Sequence, residues 1–220
     1  MTTAIAAQPR LNRRQFFQQF GLLIVFLLLC LVLSLISDRF LTGDNLKNVL
    51  RQSTVNGIIA VGVMFVILTR GIDLSVGSVL AMSSIVGADL LQRGWAPVPA
   101  VMVCLLVGGV LGLLTGLLVS QLRIPPFIAT LGMMTFGRGL AFSVTGGTPI
   151  SSFSDTFRSI GTGEVFGIPT PIIIAIGVFL VAYVLLYHTT LGRIMFALGS
   201  NERAAFVSGI PTRLVLLSVY

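Results

Sequence analysis

The sequence predicts an all-α, polytopic transmembrane helix bundle, and three observations carry that prediction. Hydrophobic residues make up 55% of the 220 and charged residues only 10%, whereas a soluble domain has about 45–50% and about 25%. The mean hydropathy is +1.01. Long apolar runs recur along the chain with short polar segments between them. A folded soluble protein still has to solvate its surface, and this chain lacks the charge to do so, so its solvent is lipid.

Taken in order, the apolar runs are 20–36, 55–68, 74–91, 98–119, 127–144 and 171–187, with a seventh beginning at Leu214. A helix needs about 20 mostly apolar residues to cross a hydrocarbon core of about 30 Å. The first run follows Arg10, Arg13 and Arg14; it is too long for a cleavable signal core of about 7–15 residues and reads as a retained span. The second is short, about 21 Å by helical rise, yet one helix over 55–91 would reach about 55 Å. Thr69-Arg70-Gly71-Ile72-Asp73 must therefore interrupt it. The seventh run stops at Tyr220 after two turns, where unpaired carbonyls would be unsatisfied in lipid, so the expectation is six complete spans and the start of a seventh in a truncated chain. The chain divides into an N-terminal segment, 1–19, and a membrane domain, 20–220, incomplete at its C-terminus, with a polar loop at 188–213.

If the N-terminus is cytoplasmic and every run crosses once, eight of the 14 basic residues fall inside and five outside, with Arg138 within a span. That bias favours a cytoplasmic N-terminus and a cytoplasmic 188–213 loop. Trp95 then sits at the outer interface, where indole rings concentrate. The net charge of +7 arises from singly placed cations between apolar runs, not from a basic solvated face, so no nucleic-acid partner is expected. Gly108, Gly112 and Gly116 share one face of the fourth run and predict close helix packing. Cys30 and Cys104 lie inside apolar runs and read as small packing residues.

The chain has no G-x-x-x-x-G-K-[ST] and no H-E-x-x-H, and His188 is its single histidine. Neither a nucleotide cradle, a zinc protease nor a Ser-His enzyme fits, and no catalytic residue, metal or cofactor is expected. Arg70 and Asp73 bracket the helix break. Either they form a charge pair fixing an unwound segment with Gly71 and Ser75 beside a transport path, or they close a turn at the membrane face. Arg138 lies inside the fifth run between two glycines. An intramembrane cation is a functional candidate by default, and the competing reading is snorkelling to the outer interface.

The polar loop encodes a short helix at 202–208. Asn201 is a good N-cap and Glu202 complements the helix N-terminus. Gly209 suits the residue after the helix, and Pro211 forbids continuation. Such a helix cannot persist alone in water, and Ala204, Ala205, Phe206 and Val207 give it an apolar surface to dock.

That loop, with Gly192, Arg193, Gly199, Arg203 and Ser208 around the short helix, resembles the cytoplasmic coupling loop of ABC importer permeases of the ribose/xylose/arabinose type. Thr69-Arg70-Gly71-Ile72-Asp73-Leu74-Ser75-Val76-Gly77-Ser78, Pro126-Phe127-Ile128-Ala129-Thr130-Leu131-Gly132 and Gly146-Gly147-Thr148-Pro149-Ile150 resemble other signatures of the family. Arg70 departs from the small residues also familiar at its position. The resemblance implies a bacterial inner-membrane permease that translocates a monosaccharide and hydrolyses no ATP itself. It further implies an ABC ATPase subunit docked on the loop, with Phe206 as anchor, a periplasmic sugar-binding protein and a second permease copy. An ion-coupled secondary transporter should carry coupling-ion residues or repeat halves; a non-transporting scaffold leaves the capped helix unexplained.

Overall fold

The computed structural model describes residues 13–151 and 153–220. Two compact units divide after Leu50, within the second helix. The first holds α1 (Arg13–Ile36), whose leucines, valines and phenylalanines from Phe17 onward are exposed, as in a lipid-facing helix. After it, Thr42 caps α2 (Gly43–Leu68), its Oγ1 accepting from the Asn45 amide at 3.4 Å. Far from being the short second run of the sequence, α2 has 26 residues, about 39 Å. Asp44, Lys47 and Arg51 interrupt its hydropathy but not its backbone, since none of them forbids a helix.

The second unit continues with α3 (Val76–Gln92), α4 (Pro97–Ser120) and α5 (Pro126–Thr145). Next come the short α6 (Asp155–Thr162) and an antiparallel hairpin of β1 (Glu164–Val165) and β2 (Ile168–Pro169). Then follow α7 (Thr170–His188), α8 (Thr190–Ser200), α9 (Glu202–Val207) and α10 (Thr212–Val219). The hairpin is the one departure from an all-α fold among the described residues. Its tip, Phe166-Gly167, has φ of 52° and 79°, the doubly left-handed turn that tight hairpins require.

Helices α2, α4, α5 and α7 are each long and apolar enough to cross a membrane; Phe20–Ile36 and Val76–Gln92 are apolar but shorter. Leu105, Leu106, Val110 and Leu113 on α4, and Phe179, Leu180, Val181 and Val184 on α7, are exposed. A soluble monomer rarely shows apolar bands of that extent. Inside the unit, α3 packs on α4 and α5, and α10 on α4. Small residues set these contacts: Gly137 abuts Ser78, Gly108 abuts Ser83, and Gly116 sits against the Leu217 carbonyl of α10. The buried hydroxyls of Ser78, Ser83 and Thr115 donate to carbonyls one turn back, which lets polar residues pack in an apolar bundle. An apolar core forms where Leu186, Met195, Leu198, Ala205 and Val215 join α7 to α10.

Candidate functional site

The break between α2 and α3 is built by two local devices and one long-range bond. At the end of α2, the amide of Arg70 donates to the Ile67 carbonyl and that of Gly71 to the Val66 carbonyl, both at 2.9 Å. This is a Schellman closure, with Arg70 in the left-handed position at φ 62°. An L-residue pays roughly 1–2 kcal/mol there. Three residues after Arg70, the Asp73 carboxylate accepts from the Ser75 amide at 2.7 Å and from the Ser75 hydroxyl at 2.6 Å. The Ser75 carbonyl in turn accepts from the amides of Ser78 and Val79 in the first turn of α3. Between them, the Ile72 carbonyl accepts from Thr130 of α5 at 3.3 Å, and Thr130 is fully buried.

Arg70 and Asp73 do not pair with one another. This corrects the charge-pair reading: the left-handed turn carries the guanidinium away from the carboxylate. Arg70 Nη2 donates instead to the Ser200 carbonyl of α8 at 2.6 Å, a cation on the carbonyl end of a helix. Gly199, one residue earlier, lies against the Leu68 carbonyl so closely that a Cβ would overlap it. The break and the 188–213 loop, separate in sequence, are thus one structure.

The loop itself holds two helices where the sequence suggested one. In α8 the Thr189 hydroxyl accepts from the Gly192 amide at 3.3 Å, Gly192 is buried beneath the Leu186 carbonyl, and Arg193 is exposed. In α9 Asn201 Oδ1 accepts from the Ala204 amide at 3.0 Å. The helix ends one residue earlier than expected, at Val207, because Ser208 is already the C-cap. Gly209 follows at φ 81°. Glu202, Arg203 and Ala204 are exposed. Ala205 is 4% exposed, within the core of α7, α8 and α10, whereas Phe206 is 66% and Val207 80% exposed. The short helix therefore has support of its own through Ala205, and does not depend on a partner for its whole stability. What it leaves open is its phenylalanine.

A cleft of about 730 Å³ opens beside Phe206, between α9, α10 and the ends of α2 and α4. A smaller cavity of about 160 Å³ shares Tyr220 with it and is also lined by Asp73, Ser75 and Thr115. Arg138 belongs to neither: it is exposed on α5, with no hydrogen bond or ion pair to another described residue. Arg123 and Arg213, two of the eight basic residues that the sequence puts on the inner side, both line the large cleft. Nothing in their spacing signals that.

The comparisons with known proteins decide the class. The family described as branched-chain amino acid transport system / permease component matches residues 45–220. The chain belongs to this permease family. It is 40% identical to the ribose import permease RbsC of Escherichia coli (strain K12), covering 100% of this chain and 70% of that protein. The ribose import permease of Bacillus subtilis (strain 168) is also 40% identical, over 97% of this chain and 67% of its own length. The D-allose transport system permease AlsC of Escherichia coli (strain K12) is 37% identical, over 95% and 65%. No solved structure matches. As a permease of this family, the chain is a multi-pass membrane component of an ABC importer, and ATP hydrolysis resides on a separate subunit. A substrate-binding protein and an ATPase are its partners. The ion-coupled and scaffold readings fall away.

Proposed function

We propose that this permease carries ribose or a related monosaccharide across the bacterial inner membrane, and that α9 is the element on which its ATPase docks. Three of the relatives above are sugar permeases by name, which supports the substrate class. The observation that carries the docking role is the split of α9 into an anchored face and an open one. Ala205 fixes the helix to its own bundle while Phe206 and Val207 stand clear. Burying such a phenylalanine in a partner contributes about 1.5–3 kcal/mol. The loop's other residues, Gly192, Arg193, Gly199, Asn201, Glu202, Arg203, Ala204, Ser208 and Gly209, hold or flank that face.

The N-terminus is cytoplasmic in this reading, with six spans and the start of a seventh. A second permease copy, identical or a close paralogue, completes the path. Arg70, Gly71, Asp73 and Ser75 form the helix break beside that path. Transport then proceeds by alternating access, with movement of α9 on the ATPase passed to the break through the contact of Gly199 and Ser200 with the end of α2.

The test is Phe206→Asp in the assembled transporter. The charge should prevent burial of this face. Sugar-stimulated ATP hydrolysis and co-purification of the ATPase should both be lost while membrane insertion is kept. Undiminished pull-down with normal stimulated hydrolysis would remove α9 from the docking role.

A further inference from the structure

Arg70 and Arg123 take left-handed backbone conformations, with φ of 62° and 56°. Glycine holds such positions without penalty, as Gly94 and Gly209 do after α3 and α9. Strain of this kind persists where the surroundings enforce it, and it gathers at functional sites. These two arginines come from different helix ends, yet both line the cleft of about 730 Å³. Arg203 of α9 and Arg213 of α10 line it as well, against a single carboxylate, Glu202. Among the described residues none of the four arginines forms an ion pair.

A second, independent observation points into the same cleft. Ser120 is 3% exposed, lines the cleft, and its hydroxyl has no hydrogen-bond partner. A buried polar group without a partner is rare in a folded protein and calls for a ligand or water. The walls also include Ile124 and Leu216, so the cleft offers cationic forks beside apolar surface.

We propose that this cleft, whose wall α9 shares through Arg203 and Phe206, is a binding site for a phosphate group. Guanidinium forks fit phosphate oxygens two at a time; the Ser120 hydroxyl, closed off in the wall, adds a further donor only when that wall opens. The phosphate can come from the headgroup of an anionic phospholipid or from free inorganic phosphate. The apolar wall favours the lipid, whose glycerol and first methylenes it would cover.

The experiment uses the permease in nanodiscs of phosphatidylcholine alone, of phosphatidylcholine with phosphatidylglycerol, and of phosphatidylcholine with inorganic phosphate in the buffer. Thermal unfolding and native mass spectrometry are the readouts. Phosphatidylglycerol should raise the unfolding midpoint and remain bound through detergent exchange. Arg123→Gly removes the charge but relieves the backbone, so a misfolded variant cannot explain its effect. It should bind phosphatidylglycerol about tenfold more weakly while unfolding no earlier than the parent in phosphatidylcholine. Arg158→Gln, on α6 and outside the cleft, should leave the affinity unchanged. Stabilisation by inorganic phosphate, with no added effect of phosphatidylglycerol, would support the site and identify the free ion as its source. Three results would overturn the proposal: no response to either phosphate source, full affinity in Arg123→Gly, or stabilisation that appears only when the ATPase is added.

Discussion

Helices α2 and α9 end in the same way, and the residues that close them could hardly differ more. In α9 the amide of Gly209 donates to the Phe206 carbonyl at 3.0 Å and that of Ile210 to the Ala205 carbonyl at 3.1 Å. In α2 the equivalent bonds run from Arg70 to Ile67 and from Gly71 to Val66. A Cβ at Gly209 would meet nothing within 4 Å, so only its φ of 81° calls for glycine. Arg70 accepts the cost of the same backbone conformation because its guanidinium reaches the Ser200 carbonyl. A hydrogen bond involving a charged group is worth about 1.5–3 kcal/mol, and less where solvent reaches it, as it does at exposed Arg70. The closure belongs to the backbone; the choice of residue belongs to whatever the side chain has to touch.

The severest way to break this pairing of helix ends is at Gly199. Gly199→Val would drive a branched side chain into the Leu68 carbonyl, with no flexible group to yield. Overpacking costs typically 1–3 kcal/mol and sometimes more, so membrane yield and unfolding temperature should both fall sharply. Next comes Gly209→Val, which places a β-branched residue in the left-handed region. The expected loss is about 2 kcal/mol, confined to α9, and hydrogen exchange at the amides of Ala204 and Ala205 should report it. Gly209→Asn, better tolerated there, should lose much less.

Arg70 sharpens the comparison. Arg70→Ala loses the bond to Ser200 and keeps the strain, whereas Arg70→Gly loses the bond and relieves it. The alanine variant should therefore be less stable than the glycine variant by about 1–2 kcal/mol, measured by unfolding in detergent. Equal stabilities would mean that the left-handed turn carries no strain. The smallest effect is expected from Arg138→Leu, on a residue that touches neither helix end. Wild-type uptake and unchanged or higher membrane yield should result.

What the sequence revealed about these regions follows the range of the forces involved. Asn201 and Gly209 were legible as caps because a cap is settled within a few residues. The partner of Arg70 was not, since Ser200 lies 130 residues away and the choice between it and Asp73 is tertiary. The first half of α2 was hidden by reading hydropathy, which Asp44, Lys47 and Arg51 interrupt. Helix α8 could have been found: Leu191, Met195 and Leu198 recur at helical spacing after the capping Thr189. The hairpin offered only Phe166-Gly167, and phenylalanine is a poor signal for a turn that asparagine usually opens. The gathering of four arginines in one cleft has no local signal at all.

The junction of α8 with α2 behaves differently under push and pull. Pushed towards α2, Gly199 meets a backbone carbonyl with no compliant side chain between them, so the joint acts as a hard stop and passes on the whole displacement. Pulled away, α8 is held to α2 by the bond from Arg70 to Ser200 and by the packing of Met64, Phe65 and Leu68 on the core around Met195 and Leu198, contacts that yield more readily than a backbone clash. A load applied at α9 therefore reaches the Thr69–Ser75 break efficiently in compression and poorly in tension, so the joint works as a one-way strut.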